Sequence, residues 1–248
     1  MEINRSMLAP ALIAILLFPL AVKTASGYEI VQNGGFENGL NGWECSTIYM
    51  CCRDYPTVSV EGEVTFHLSS GDVTISPHGG NYQAALSYPT CIPGFWNAWL
   101  KQDITFPRGY DAAVISFWYN LAALKLWCSG CGEDRFIVTL GNHELLNVKI
   151  QDDYDGSGCG DLGTPTLTNW THFQTTLTYA ELGITAPPQD LTLEFYLQNL
   201  SGDCSQLSVG FLDDVSVNAI PEPSTLAILG IGLAGMIFRN RRRRRKIV

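Results

Sequence analysis

Eight cysteines are the first residues in this 248-residue chain whose type and spacing suggest chemistry: Cys45, Cys51, Cys52, Cys91, Cys128, Cys131, Cys159 and Cys204. In an oxidising compartment an even set pairs as disulfides. Eight cysteines allow 105 pairings, so spacing alone names none of them. Cys128-Ser129-Gly130-Cys131 has the spacing of a redox or zinc motif. No βαβ pattern surrounds it, and the second close pair of a four-cysteine zinc site is missing. Structural disulfides are the expectation.

Acidic and aromatic residues come next. "QDDYDGSGCGD" (151–161) places Asp153, Asp155, Ser157 and Gly158 as an EF-hand loop would. The twelfth position of that loop is Thr164, where a bidentate Glu is required. A solvated acidic loop anchored by Cys159 is the better reading. Six tryptophans offer rings for stacking on sugars. Trp96, Trp99 and Trp127 lie on or beside cysteine-braced loops, "CIPGFWNAW" and "KLWCSGCG", and are candidate ligand platforms or packing beneath a disulfide. Glycoside hydrolysis needs two carboxylates at a set separation, which a chain this acidic always offers, so the signal is empty. There is no Gly-x-Ser-x-Gly elbow and no two-histidine zinc helix. His67, His78, His143 and His172 are scattered and read as ordinary strand or loop residues. No enzyme is expected.

Both ends read as processing segments. Arg5, an apolar run from Met7 to Val22, and the small residues Ala25, Ser26 and Gly27 form a signal peptide over residues 1–27. Between the ends, residues 28–220 hold six Lys and Arg against 22 Asp and Glu, so 6 − 22 = −16. A body this acidic repels nucleic acid and anionic membranes. It suits an exterior protein or one that takes up divalent cations.

The elements that must position these side chains are strands. From Tyr28 to Val217 short runs rich in Val, Ile, Thr, Phe, Tyr and Trp are broken by Gly, Pro, Asn and Asp. In "AWLKQDITF", Trp99, Lys101, Asp103 and Thr105 alternate with Leu100, Gln102, Ile104 and Phe106. "AAVISFWYNL" is apolar on both faces, as a central strand is. Only "YAELG" suggests a helical turn. About ten strands with no helical spacing between them predict one antiparallel β-sandwich over 28–218.

"IVQNGGFENGLNGWE" opens this body and "GFLDDVSVN" closes it. Together with "PHGGNYQAALS", the pair "LKQDITF" and "AVISFWYNL", and "NWTHFQTTLT", they resemble in order the galactose-binding-like jelly rolls of carbohydrate-binding modules. The resemblance makes Trp43, Trp118 and Trp170 core residues and sets the first and last strands side by side. It also implies a structural calcium where they meet, with Glu37, Asp213 and Asp214 at the matching positions. Successive strand residues face opposite ways, so only one of the two aspartates is expected to reach that site. Asp213 shares parity with Val215 and Val217 and is expected to point inward.

The tail has its own order: Pro221-Glu222-Pro223, an apolar stretch over about 224–238, then basic residues over 239–246. The stretch is short for a bilayer span, and its positive flank favours the cytoplasmic side. Residues 219–248 resemble the PEP-CTERM sorting signal of Gram-negative bacteria. That resemblance implies transient insertion of a transmembrane helix in the inner membrane, removal by an exosortase, and delivery to the cell surface or matrix. Proteins so sorted accompany exopolysaccharide and biofilm. The expected role is non-enzymatic association with extracellular polysaccharide. The alternatives are a polysaccharide-modifying enzyme or accessory subunit, and a matrix protein that binds no sugar. Mass spectrometry of exported protein should find a start near residue 27, loss of the basic tail and oxidised cysteines. An intact cytosolic chain with free thiols would contradict this reading.

Overall fold

A computed structural model describes residues 27–50, 53–68, 71–87, 97–125, 134–150, 166–167, 169–198 and 206–221. Sixteen strands account for most of them. They are β1 (Tyr28–Glu29), β2 (Glu44–Cys45), β3 (Thr47–Met50), β4 (Arg53–Pro56), β5 (Val58–Glu61), β6 (Val64–Leu68), β7 (Gly71–Ile75) and β8 (Gln83–Ser87). There follow β9 (Asn97–Phe106), β10 (Tyr110–Lys125), β11 (Arg135–Leu140), β12 (His143–Lys149), β13 (Thr166–Leu167), β14 (Thr171–Thr178), β15 (Gln189–Gln198) and β16 (Gln206–Pro221). Among the described residues there is no helix. The expected turn at "YAELG" is a hydrogen-bonded bend, with Leu182 N–H donating to Thr178 O and Gly183 N–H to Ala180 O.

Two antiparallel sheets carry the core. The first runs β10–β16–β8–β5, with β13 and β14 on the free edge of β10 and β1 beside the end of β16. The second runs β12–β11–β15–β9–β2. Period-two alternation makes both one-sided towards each other. Leu100, Ile104 and Phe106 of β9, Phe136 and Val138 of β11, and Leu193, Phe195 and Leu197 of β15 are buried against Ile115, Phe117 and Leu121 of β10. Phe117 sits edge-on to Phe195 with ring centroids 5.3 Å apart, so the sheets meet through aromatic rings. The alternation expected for β9 is the one observed.

The opening loop plugs one end of this core. Phe36 and Trp43 are buried and pack on one another, and Trp43 packs on Phe195. Asn33 Nδ2 donates to Gly39 O and Asn41 O, and its carbonyl accepts from Trp43 Nε1. The buried Gln102 of β9 ties the loop down: Gln32 N–H donates to its Oε1, and its Nε2 donates to Gln32 O and Gly42 O. A buried amide without such partners would cost about 1–3 kcal/mol.

The chain ends meet on the first sheet. Tyr28 and Glu29 pair with Ala219 and Asn218. The Glu29 carboxylate accepts from Val31 N–H, Val217 N–H, Asn218 Nδ2 and the Ser216 hydroxyl. Further along, β16 carries a bulge. Ser116 pairs with Ser216 and Trp118 with Asp213, so one residue of β10 faces two of β16. Asp214 adopts φ +49° there, and the freed Val215 N–H donates to Gly34 O at 3.0 Å. Gly34 has to be glycine, because a Cβ would lie 1.8 Å from Val215 O. Gly34→Ala should therefore destabilise the domain by more than about 2 kcal/mol in denaturant unfolding. A change within about 0.5 kcal/mol would show that the two chain ends are not in this contact.

Candidate functional site

The bulge sets the geometry of the acidic residues. It reverses the alternation of β16: Leu212 before it and Val215 and Val217 after it all belong to the inter-sheet core, while Phe211 packs with the outer cluster of Ile75, Ala85, Ala122 and Val209. Asp213, opposite Trp118, consequently lies on the outer face of the sheet. The parity expectation that pointed it inward fails, because parity holds only along an unbulged strand. Asp213 is nevertheless fully buried, roofed by the segment that leads into β8. Gly79 N–H donates to its Oδ2 at 2.9 Å, and Asp214 N–H donates to its Oδ1 at 2.7 Å.

The expectation that only one aspartate reaches this place fails for the same reason. With positive φ, Asp214 turns back to the same roof, and its Oδ2 meets His78 Nδ1 at 2.7 Å. Glu37 reaches the next part of that segment. Its Oε1 accepts from Asn81 N–H at 2.7 Å and Tyr82 N–H at 3.1 Å, and its Oε2 accepts from Asn81 Nδ2 at 3.2 Å. Gly79 and Gly80 permit the approach, since a Cβ would lie 2.8 Å from Asp214 Oδ2 at the first and 2.1 Å from Glu37 Oε1 at the second. Residues 78–82 are thus held between carboxylates from the start and the end of the chain.

The two carboxylate types differ electrically. The Asn81 amide holds the exposed Glu37 carboxyl below its usual range, against a smaller opposing effect of burial. Burial pushes Asp213 up to about 6, opposed by the Gly79 and Asp214 amides and reinforced by the charge of Asp214. As for a cation, the Oδ1 atoms of Asp214 and Asp213 lie 3.8 and 4.0 Å from the point where a Cβ on Gly35 would sit. Both carboxylates therefore approach the opening loop at Gly35. Among the described residues no three His, Cys, Asp or Glu side chains form a group placed to hold a metal ion, and Glu37 is engaged by the loop amides. Further ligands would have to be main-chain carbonyls or water.

The aromatic residues fall on two opposite faces. Trp99 is half-buried on the outer face of the second sheet, directly across from Tyr196. Lys101 Nζ lies 4.9 Å from the Trp99 ring centroid and 3.3 Å from Glu44 Oε2, and Glu194 faces Lys101 across the strands. Burial raises Glu194, partly offset by Lys101. Tyr196 was not singled out in the sequence; as the strand neighbour of the inward Phe195 it faces the other way. Trp43 is core, as expected. Trp118 and Trp170 are not: both are half-buried on the outer face of the first sheet. Trp118 is sandwiched between His78 and His172, with centroids 3.8 and 4.7 Å away, and Trp170 meets His78 edge-on at 5.8 Å. The histidines read as ordinary thus include two that frame an aromatic stack.

Trp96, Trp127, Glu222, Pro223, the acidic stretch 151–161 and seven cysteines, Cys51, Cys52, Cys91, Cys128, Cys131, Cys159 and Cys204, lie outside the described residues. Cys45 is half-buried on β2, with its thiol pushed up by burial and no disulfide partner among the described residues. Pro221, the last described residue of β16, pairs with Tyr110.

Residues 219–244 match the PEP-CTERM protein-sorting motif. That match and the antiparallel strands define the class: an exported, exosortase-sorted chain whose described residues form β-sheets and no helix. No curated protein matches this chain. Among solved structures it is similar to TmCBM61 in complex with beta-1,4-galactotriose, at 16% identity over 79% of this chain and 99% of that one, TM-score 0.37. It is similar to the CBM22-1 xylan-binding domain of Paenibacillus barcinonensis Xyn10C, at 11% identity over 79% and 97%, TM-score 0.36. It is also similar to the K3 cleaved adhesin domain of Lys-gingipain from Porphyromonas gingivalis, at 14% identity over 77% and 99%, TM-score 0.40.

The raised Asp213 carboxyl has a definite sign. Its folded value, about 6, exceeds the ordinary 3.8, so the folded state binds that proton more tightly. Its contribution favours folding at low pH and is lost as pH rises through about 6. In chelator-treated protein, Asp213→Asn should flatten the fall in stability between pH 4.5 and 7 measured by thermal melts. An unchanged slope would remove Asp213 as its source.

Proposed function

We propose that this is a non-enzymatic protein of the Gram-negative cell surface or matrix that associates with extracellular polysaccharide. The observation that carries the reading is the outer face of β9 and β15, where Trp99 and Tyr196 pair across the strands beside Lys101 and Glu194. Flat rings take the apolar faces of sugars, and the flanking charged groups can bond hydroxyls. The net charge of the body argues against nucleic acid and polyanionic glycans as partners. The sorting motif supports an export route, in this reading through an inner-membrane intermediate with an exosortase as the processing partner. In this reading Trp96 and Trp127 are further candidate ligand-binding residues, and the cysteines are oxidised in the exported form.

Gel retardation by the producing organism's own exopolysaccharide tests the reading. The exported protein should be slowed, and Trp99→Ala should lose at least tenfold in affinity. Release of reducing ends or acyl groups from the polymer would instead identify an enzyme. Unchanged mobility on every glycan would identify a matrix protein without a sugar site.

We further propose that Asp213 and Asp214, with Glu37 holding the adjoining loop, support a structural calcium ion. The ion would supply positive charge to two carboxylates that otherwise repel each other, stapling the chain ends without any part in a reaction. Binding only the folded state adds RT ln(1 + [L]/Kd), about 2.7 kcal/mol at a hundredfold excess over Kd. Chelation should then lower the melting temperature by about 5–10 °C, and calcium should restore it. An unchanged melting temperature in wild type would rule the ion out.

A further inference from the structure

The outer face of the first sheet is partly covered. Hairpin β6–β7 lies over it, with Phe66 edge-on to Phe211 at 6.2 Å and Val64 and Phe66 packed on Ile75, Ala85, Ala122, Val209 and Phe211. The cover is incomplete. Between β7, the segment that follows it, β10 and the start of β14 there remains an open cavity of about 390 Å³. Its size lies within the roughly 300–1,000 Å³ of small-molecule sites.

The lining is specific in kind. Asn120 of β10 and Asn169 ahead of β14 contribute amides, Ser76 a hydroxyl, and His78 an imidazole. Ile75 and Pro77 contribute apolar surface, and Trp170 an indole. Among the described residues no Lys, Arg, Asp or Glu lines it.

The aromatic wall is held in place before any ligand arrives. Trp170 Nε1 donates to Ser76 O at 3.0 Å, and its ring meets His78 edge-on. His78 is fixed in turn by its stack on Trp118 and by Asp214 at 2.7 Å. Side chains already immobilised lose little freedom on binding, which favours affinity.

This combination selects its ligand by chemistry. One ring wall next to amide, hydroxyl and imidazole groups matches a small polyhydroxylated ring with one apolar face. Anions are disfavoured, since among the described residues no Lys or Arg lines the cavity and Asp214 and Glu63 stand just behind His78 and Ser76, the latter donating to Glu63 Oε2 at 3.2 Å.

We propose that this cavity is a second saccharide site that takes one neutral sugar residue, separate from the Trp99 face. The two sites lie on the outer faces of opposite sheets, so one molecule engages two glycan chains at once. A domain built this way links polymer strands rather than only coating them.

The experiment is a titration of exported, isotope-labelled protein with methyl galactopyranoside, methyl glucopyranoside, methyl mannopyranoside and, as the charged control, glucuronic acid. Tryptophan indole N–H signals and calorimetry are the readouts. At least one neutral glycoside should shift the Trp170 signal and leave that of Trp99 in place. Asn169→Ala, at an exposed position, should weaken this binding at least tenfold without changing the melting temperature. Trp99→Ala should leave it unchanged, which separates the pocket from the proposed polysaccharide face. Three outcomes would overturn the proposal: no neutral glycoside moves the Trp170 signal, glucuronic acid alone moves it, or both Asn169→Ala and Trp170→Phe bind like wild type.

Discussion

A buried carboxylate on the last strand governs how this domain closes. Asp213 is roofed by residues 78–82, and the same segment is gripped one step further on by Glu37 from the opening loop. A buried carboxylate is tolerated only with donors or a cation around it. Here the donors are backbone amides, which ties the path of the chain before β8 to both chain ends. The contacts of Val215 with Gly34 and of Glu29 with β16 extend this closure along the sheet edge. Loop closure over so many residues is entropically costly, and these charge-assisted bonds help offset that cost.

The bulge that creates this arrangement also shapes the outer surface. Because the alternation of β16 reverses at Asp213 and Asp214, both carboxylates turn outward together. His78 can then lean on Asp214 and stack on Trp118. The acidic clasp and the aromatic stack are therefore one structure, and the wall of the cavity beside Trp170 inherits its rigidity from the clasp. On the opposite sheet Trp99 and Tyr196 need no such device, because regular pairing of β9 with β15 sets them side by side.

Much of this was legible in the residues. The alternation in "AWLKQDITF", the two-sided apolar run that became β10 and the turn chemistry around Asn33 all describe what the structure contains, because each depends on local periodicity or local φ preference. The tail was legible because its signal is linear. Three things were not. The bulge at Asp213 arises from register between distant strands and from a left-handed Asp214, which no local pattern announces, so the parity argument broke there. Trp118 and Trp170 were assigned to the core by resemblance, whereas here both are half-buried on the outer face of the first sheet against histidine rings. His78 gave no hint of its place, since its partners lie 40 and 136 residues away in the chain, at Trp118 and Asp214.

Amide hydrogen exchange reads the clasp most directly. If carboxylates from both chain ends hold residues 78–82, the N–H groups of Gly79, Asn81, Tyr82 and Val215 exchange as slowly as those of the flanking strands, and Glu37→Gln speeds Asn81 and Tyr82 selectively. Exchange of all four at the rate of an unstructured peptide would contradict the account.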